Sequence, residues 1–129
     1  MIVDWLKTRT RFTPNKRAIV DTVYGAEYTF SELNIRAEQL ATYLLKAGIK
    51  DGDHVAVLAE NDISQLDFLF ATTKIGAVFI PLNWRLKENE LEKVLENSQP
   101  KLIAHLTKFE NRIDGYSGDY QKLKIDHDE

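Results

Sequence analysis

Two short stretches of this 129-residue chain gather the side chains best suited to hold a small molecule: Glu60-Asn61-Asp62 and Pro81-Leu82-Asn83-Trp84-Arg85. Each follows an apolar run that reads as a strand, so each is expected beyond a strand's carboxyl end, where open parallel sheets bind their ligands. If the two strands are neighbours, the two loops lie side by side. Asn61 and Asn83 each offer a donor and an acceptor, and Arg85 offers a forked cation suited to phosphate. Plainer roles exist for all of these residues. An asparagine after a strand caps a helix or shapes a turn, and an arginine on a loop is often only solvated. Trp84 is expected to pack as a lid over the sheet edge rather than stack on a substrate ring.

Other chemistries are missing from the sequence. There is no cysteine, which removes disulfides, thiolate catalysis and cysteine-ligated zinc together. His54, His105 and His127 are too scattered to suggest a metal site. No G-x-x-x-x-G-K-[ST] loop occurs, and no G-x-G-x-x-G follows a strand. Gly115 and Gly118 flank Tyr116-Ser117 and read as a flexible turn. No serine sits in a G-x-S-x-G elbow. Glu88, Glu90, Glu92 and Glu96 fall on the outer side of one expected helix, a solvated face. The acidic cluster and lysine of a phospho-receiver module cannot be assembled. The chain supplies a scaffold and part of a rim, with no catalytic residue and no metal ligand set.

Composition agrees with an ordinary globular domain: 43% apolar and 29% charged residues, net charge −3 and a pI near 5.6. A near-neutral, slightly acidic chain has no electrostatic reason to seek nucleic acid or an anionic membrane. No apolar run approaches the ~18–20 residues a membrane span needs, and Met1 to Lys7 is no signal peptide. The expectation is a soluble, cytoplasmic domain.

Stepping along the chain, Asp4 to Phe12 reads as a short amphipathic helix with Trp5, Leu6 and Phe12 inward, broken by Pro14. Ala18 to Asp21 and Ala26 to Thr29 read as two strands of an edge hairpin. Thr29-Phe30-Ser31-Glu32 fits a capping box, and Leu33, Ala37, Leu40, Ala41 and Leu44 make one apolar stripe behind it. Gly48 stands where a left-handed terminator belongs. Val55 to Ala59 is apolar without alternation, as in the middle of a parallel sheet.

The pattern then repeats. Asp62 with Gln65 offers a capping pair, Leu66 to Ile75 a helix stopped by Gly76, and Ala77 to Ile80 a buried strand ended by Pro81. A third helix runs from Lys87 to Ser98 with Leu91, Val94, Leu95 and Ser98 inward; Pro100 ends it, and Lys101 to Leu106 is a strand. Alternating strands and helices predict a three-layer, Rossmann-like α/β fold with a mostly parallel sheet. Residues 1–106 form this unit. Residues 107–129 read as a polar C-terminal extension with few packing residues and one last short strand around Leu123 and Ile125.

Five blocks in order resemble the adenylate-forming (AMP-binding) enzymes, between Trp5 and Leu106. Thr13-Pro14-Asn15-Lys16-Arg17-Ala18-Ile19 resembles their Thr-Pro-x-x-x-Ala-Ile. Tyr28-Thr29-Phe30-Ser31-Glu32-Leu33 resembles Thr-Tyr-x-Glu-Leu, with Phe30 for the usual tyrosine. Gly48-Ile49-Lys50-Asp51-Gly52-Asp53-His54-Val55 is similar to Gly-Val-x-x-Gly-Asp-x-Val, and Asn61 falls on the asparagine after that strand. Lys74-Ile75-Gly76-Ala77 through Pro81-Leu82-Asn83-Trp84-Arg85-Leu86 resembles Lys-x-Gly-Ala-x-x-x-Pro-Leu-Asn-x-Arg-Leu, and Glu90-Leu91 follows. The Pro-Leu-Asn-x-Arg-Leu form is similar to the acyl-CoA synthetase, or acid–CoA ligase, branch. Lys87 departs from the pattern where serine or threonine often caps the third helix, which is expected to fray its first turn by about 1 kcal/mol.

The resemblance implies the N-terminal subdomain of an ATP-dependent ligase that turns a carboxylic acid into an acyl-adenylate and then a CoA thioester. It implies ATP, Mg2+ and CoA as cofactors of the full-length enzyme, none bound tightly by this segment alone. It implies the remainder of the same polypeptide as partner. Arg85 is its best functional position, since the matching arginine of some members lies near the nucleotide phosphates of CoA. Asn61 and Asn83 match family positions and receive no catalytic role. The rival reading is a stand-alone interaction or regulatory module that kept the fold without the enzyme. A reading frame continuing into a Thr-Ser-Gly-rich run favours the enzyme, and a stop after Glu129 the module. Cut near Glu129, the chain is expected to expose apolar surface or a strand edge and to form a homodimer.

Overall fold

Local signals set most of the elements in the computed structural model, which describes residues 4–21, 26–60 and 63–126. The first helix, α1 (Trp5–Phe12), is capped by Asp4, whose carboxylate accepts from the Lys7 N–H. Strands β1 (Arg17–Asp21) and β2 (Ala26–Thr29) pair antiparallel as a separate ribbon, with an irregularity between Arg17 and Ile19. Thr29 then opens α2 (Phe30–Lys46) with both halves of the expected capping box: its hydroxyl accepts from the Glu32 N–H, and Glu32 accepts from the Thr29 N–H at 2.8 Å. Gly48, at φ +92°, turns the chain out of α2 in a conformation that favours glycine.

β3 (His54–Leu58), β4 (Val78–Leu82), β5 (Leu102–His105) and β6 (Gln121–Lys124) form one all-parallel sheet in the order β4-β3-β5-β6. Between them run α3 (Ile63–Ile75) and α4 (Glu88–Ser98), and a 3-10 helix, Thr107–Arg112, follows β5. On one face, Val55, Val57, Leu102 and Ala104 pack against Leu44 of α2 and Phe68 and Ala71 of α3. On the other, Ala56, Leu58 and Ile103 pack against Leu91 and Leu95 of α4 and against Phe109 and Ile113. The expected three layers are therefore present, with β3 buried on both faces. Outside α2 and α3, a smaller cluster of Leu6, Leu33, Ala37, Ile63 and Phe70 attaches α1 and the ribbon. Lys74 reinforces this junction, donating to Asp4 and to Asn34 at 2.7 Å each.

Several expectations change. Pro81 does not end its strand but lies inside β4, which is an edge strand with Val78 40% exposed, not a buried central one. The Val78 N–H donates inward to Asp53 O, so the backbone of Pro81, an odd number of residues later, faces outward where no donor is needed. Phe12 is not inward: it is 78% exposed, and Trp5 is largely exposed with its edge on Phe70. At about 100° per residue Phe12 lies about 120° round the helix from buried Leu6, so one inner face cannot hold both. Lys87 supplies no side-chain cap, yet the start of α4 keeps half of a capping box, because Glu90 accepts from the Lys87 N–H at 3.0 Å. The capping pair read at Asp62 and Gln65 is half outside the described residues; Gln65 itself donates to Ala59 O. After Leu106, Phe109 and Ile113 enter the core, and β6 adds a parallel strand beside β5.

Candidate functional site

The register of β3 and β4, with Leu58 beside Leu82, sets the carboxyl ends of the two strands side by side, as expected. The chain after Leu82 is a tight turn. Asn83 Oδ1 accepts from the Arg85 N–H at 3.0 Å, and the Asn83 carbonyl accepts from the Leu86 N–H at 3.1 Å. Asn83 is thus the turn-shaper that asparagine chemistry favours. Trp84 does act as a lid, stacked on Phe109 with centroids 6.1 Å apart and planes at 19°. The Arg85 guanidinium lies over the outer side of the same indole, 5.0 Å from its centroid. Together with Ala59, Gln65, Pro81 and Leu82, these residues border an open cleft of about 440 Å³.

Arg112 holds the loop from below. Its guanidinium donates to the Trp84 carbonyl at 2.6 Å and also to the Leu86 carbonyl, one on each side of Arg85. Nothing in the spacing of the sequence pointed to Arg112, because a main-chain acceptor leaves no mark on residue type. Phe109 was missed for a related reason: it sits in a stretch too polar to suggest packing. Lys108 pairs with Glu60, while Arg85, among the described residues, pairs with no carboxylate. Arg85 is exposed. Asn61 lies outside the described residues.

The histidines do other work. The His54 Nδ1–H donates to Ser98 O at 2.6 Å, tying the start of β3 to the end of α4, and His105 is fully buried with Nδ1 on Leu106 O; His127 lies outside the described residues. No three metal-ligating side chains converge among the described residues. A second hollow, of about 420 Å³, lies between α2 and α3, where Arg36 grips Asp67 with two hydrogen bonds of 3.0 and 2.6 Å. The hydrogen bond to Asp67 raises the pKa of Arg36, so the pair stays charged. It joins the two helices and occupies Arg36, the cation among the described residues that line the hollow.

A parallel sheet covered by helices on both faces defines a three-layer α/β domain, the architecture whose ligand sites lie beyond the strands' carboxyl ends. Which one follows from comparison with known proteins. The model of the AMP-binding enzyme family matches residues 6–128, and the chain belongs to that family. It is 39% identical over 101 residues to a feruloyl-CoA synthase of Amycolatopsis sp., covering 78% of this chain and 20% of the relative. It is 36% identical over 99 residues to a 2-succinylbenzoate–CoA ligase of Oceanobacillus iheyensis, covering 77% and 20%. Among solved structures, a fatty acyl CoA synthetase of Mycobacterium tuberculosis superposes with a TM-score of 0.88 at 25% identity, over 95% of this chain and 26% of that one. The chain spans about a fifth of the length of the curated relatives it matches. The motif resemblance and the α/β architecture read from the alternation of strands and helices both hold.

Proposed function

We propose that this segment is the N-terminal α/β unit of an ATP-dependent acid–CoA ligase. In that reaction a carboxylate attacks the α-phosphorus of ATP and expels pyrophosphate. The CoA thiol then attacks the acyl carbon and expels AMP. The segment's own contribution is the mounted Arg85, held by Asn83 and Arg112 and unpaired, which suits a phosphate of CoA. That unpaired, exposed cation on a fixed turn is the observation that carries the reading. ATP with its Mg2+, and CoA, are the cofactors of the full-length enzyme in the same proposal. A fatty or aryl acid substrate and a cytoplasmic setting are part of the same proposal. So is self-association of the isolated chain, through its half-exposed β4.

The test separates the two half-reactions in the ligase that contains this segment. Arg85→Ala should slow thioester formation about ten- to a hundred-fold, the loss of a charge-assisted contact worth roughly 1.5–3 kcal/mol, and leave adenylate formation nearly intact. An equal fall in both steps assigns Arg85 a different role. The 129-residue chain alone should release no pyrophosphate from ATP with any acid.

A further inference from the structure

The open cleft beside Arg85 carries two side-chain amides, and the fold has already engaged one end of each. Gln65, in the first turn of α3, donates from Nε2 to Ala59 O at 3.1 Å, and its Oε1 accepts from none of the described residues. Asn83 has the opposite arrangement. Its Oδ1 accepts from the Arg85 N–H at 3.0 Å, and its Nδ2 donates to none of the described residues. Gln65 therefore has an acceptor left for a ligand, and Asn83 a donor. Both border the same cleft of about 440 Å³, a volume within the range of small-molecule sites.

The rest of the lining narrows the ligand further. Ala59 and Leu82 are buried and, with Pro81, make the lining partly apolar. One side of the Trp84 indole is taken by Phe109 and the other by Arg85, so a ligand ring cannot stack there without displacing one of them. Arg85, which pairs with no carboxylate among the described residues, adds a cation to the same rim. A ligand that satisfies this lining carries a phosphate, a flat ring and, on the edge of that ring, a donor beside an acceptor. Adenine has that edge, with its N6 amino group as donor and N1 as acceptor. Guanine has the reverse, a carbonyl at C6 and an N–H at N1.

We propose that this cleft reads the adenine base of CoA, with Gln65 Oε1 accepting from N6 and Asn83 Nδ2 donating to N1 while Arg85 holds a phosphate. The inference rests on the reading of Arg85 as a contact to CoA and adds to it a choice of base. Gln65 and Asn83 are then specificity-determining residues. Their ties to Ala59 O and to the Arg85 N–H settle which end of each amide is left for the ligand. A guanine base would set its carbonyl against the acceptor and its N–H against the donor.

The test follows thioester formation from preformed acyl-adenylate in the ligase that contains this segment, so that the ATP site is already filled. Adenosine 3′,5′-bisphosphate and guanosine 3′,5′-bisphosphate are added as competitors of CoA. The adenosine compound should bind at least about ten-fold more tightly, because guanine leaves both amides unpaired. Gln65→Met keeps the bulk and removes the acceptor, and should lower that ratio at least about three-fold. Gln65→Lys puts a donor where the acceptor was, and should turn the ratio toward the guanosine compound. Each ratio is read within one protein, so a general loss of affinity or of folded enzyme cancels. No competition by either nucleotide, equal inhibition of the unaltered ligase by both, or an unchanged ratio in the two variants would overturn the inference. If Arg85→Ala slows the thioester step and the ratio does not move in Gln65→Met, the base assignment alone fails. If Arg85→Ala leaves that step untouched and the ratio still falls in Gln65→Met, the base contact stands and the phosphate assignment alone fails.

Discussion

The Arg112 guanidinium donates to the Trp84 carbonyl at 2.6 Å, joining the helical turn after β5 to the loop after β4 across 28 residues of sequence. A second bond to the Leu86 carbonyl makes it a two-point clamp around Arg85. The loop's other side is held by the stack of Trp84 on Phe109, two residues into the same turn from Thr107. Fixing the turn in this way would spare the entropy that a flexible loop loses on engaging the phosphate proposed for Arg85.

Arg112→Ala should therefore lower unfolding stability by about 1.5–3 kcal/mol, as expected for hydrogen bonds from a charged donor to part-buried carbonyls. Arg112→Lys should fall between, because an ammonium cannot reproduce the forked geometry. Urea unfolding measures both. A loss below about 0.5 kcal/mol for the alanine variant would show that the clamp adds nothing beyond the aromatic stack.

Adjacent leucines on α2 provide an internal control. Leu44 is fully buried under the sheet and Leu45 is 56% exposed. Leu44→Ala should cost about 2–5 kcal/mol, and Leu45→Ala no more than about 0.5. Comparable losses at the two positions would place α2 in a different rotation against β3 from the one described.

The acid limb of stability should depend on Asp126. Hydrogen bonding from the Thr107 side chain, and next from its backbone N–H, holds the Asp126 carboxyl below its usual 3.8. Since the folded value is the lower one, the carboxylate stabilises the fold above the usual value, and this contribution is lost as pH falls through the depressed one. Asp126→Asn should thus reduce stability at neutral pH and shallow the decline below about pH 4. Denaturant titrations across that range measure it, and parallel curves for the two proteins would remove Asp126 from the linkage.

Signals confined to a few neighbouring residues were legible in the sequence. The Thr29–Glu32 capping box, the left-handed turn at Gly48, the stop at Gly76 and the two-sided apolar run at Val55–Leu58 each act within one helical turn or one strand, so residue type alone specifies them. The same holds for Asn83, whose side chain bonds the backbone two residues on. Together they determined an alternating α/β chain with a parallel sheet, and the family motifs placed Arg85 on the loop after a strand.

Tertiary structure decided everything that depends on which distant segments become neighbours. Strand order made β4 an edge, and only an edge lets Pro81 sit within a strand, its missing donor turned outward. Packing of the 3-10 helix under the loop drew Phe109 and Arg112 to the site from a stretch of low apolar content. The partners there are main-chain carbonyls, which every residue possesses, so no pattern of side chains could announce them. Phe12 shows the converse: its apolar type suggests an inward position, but at about 100° per residue it lies about 120° round α1 from Leu6, and the ring remains in solvent.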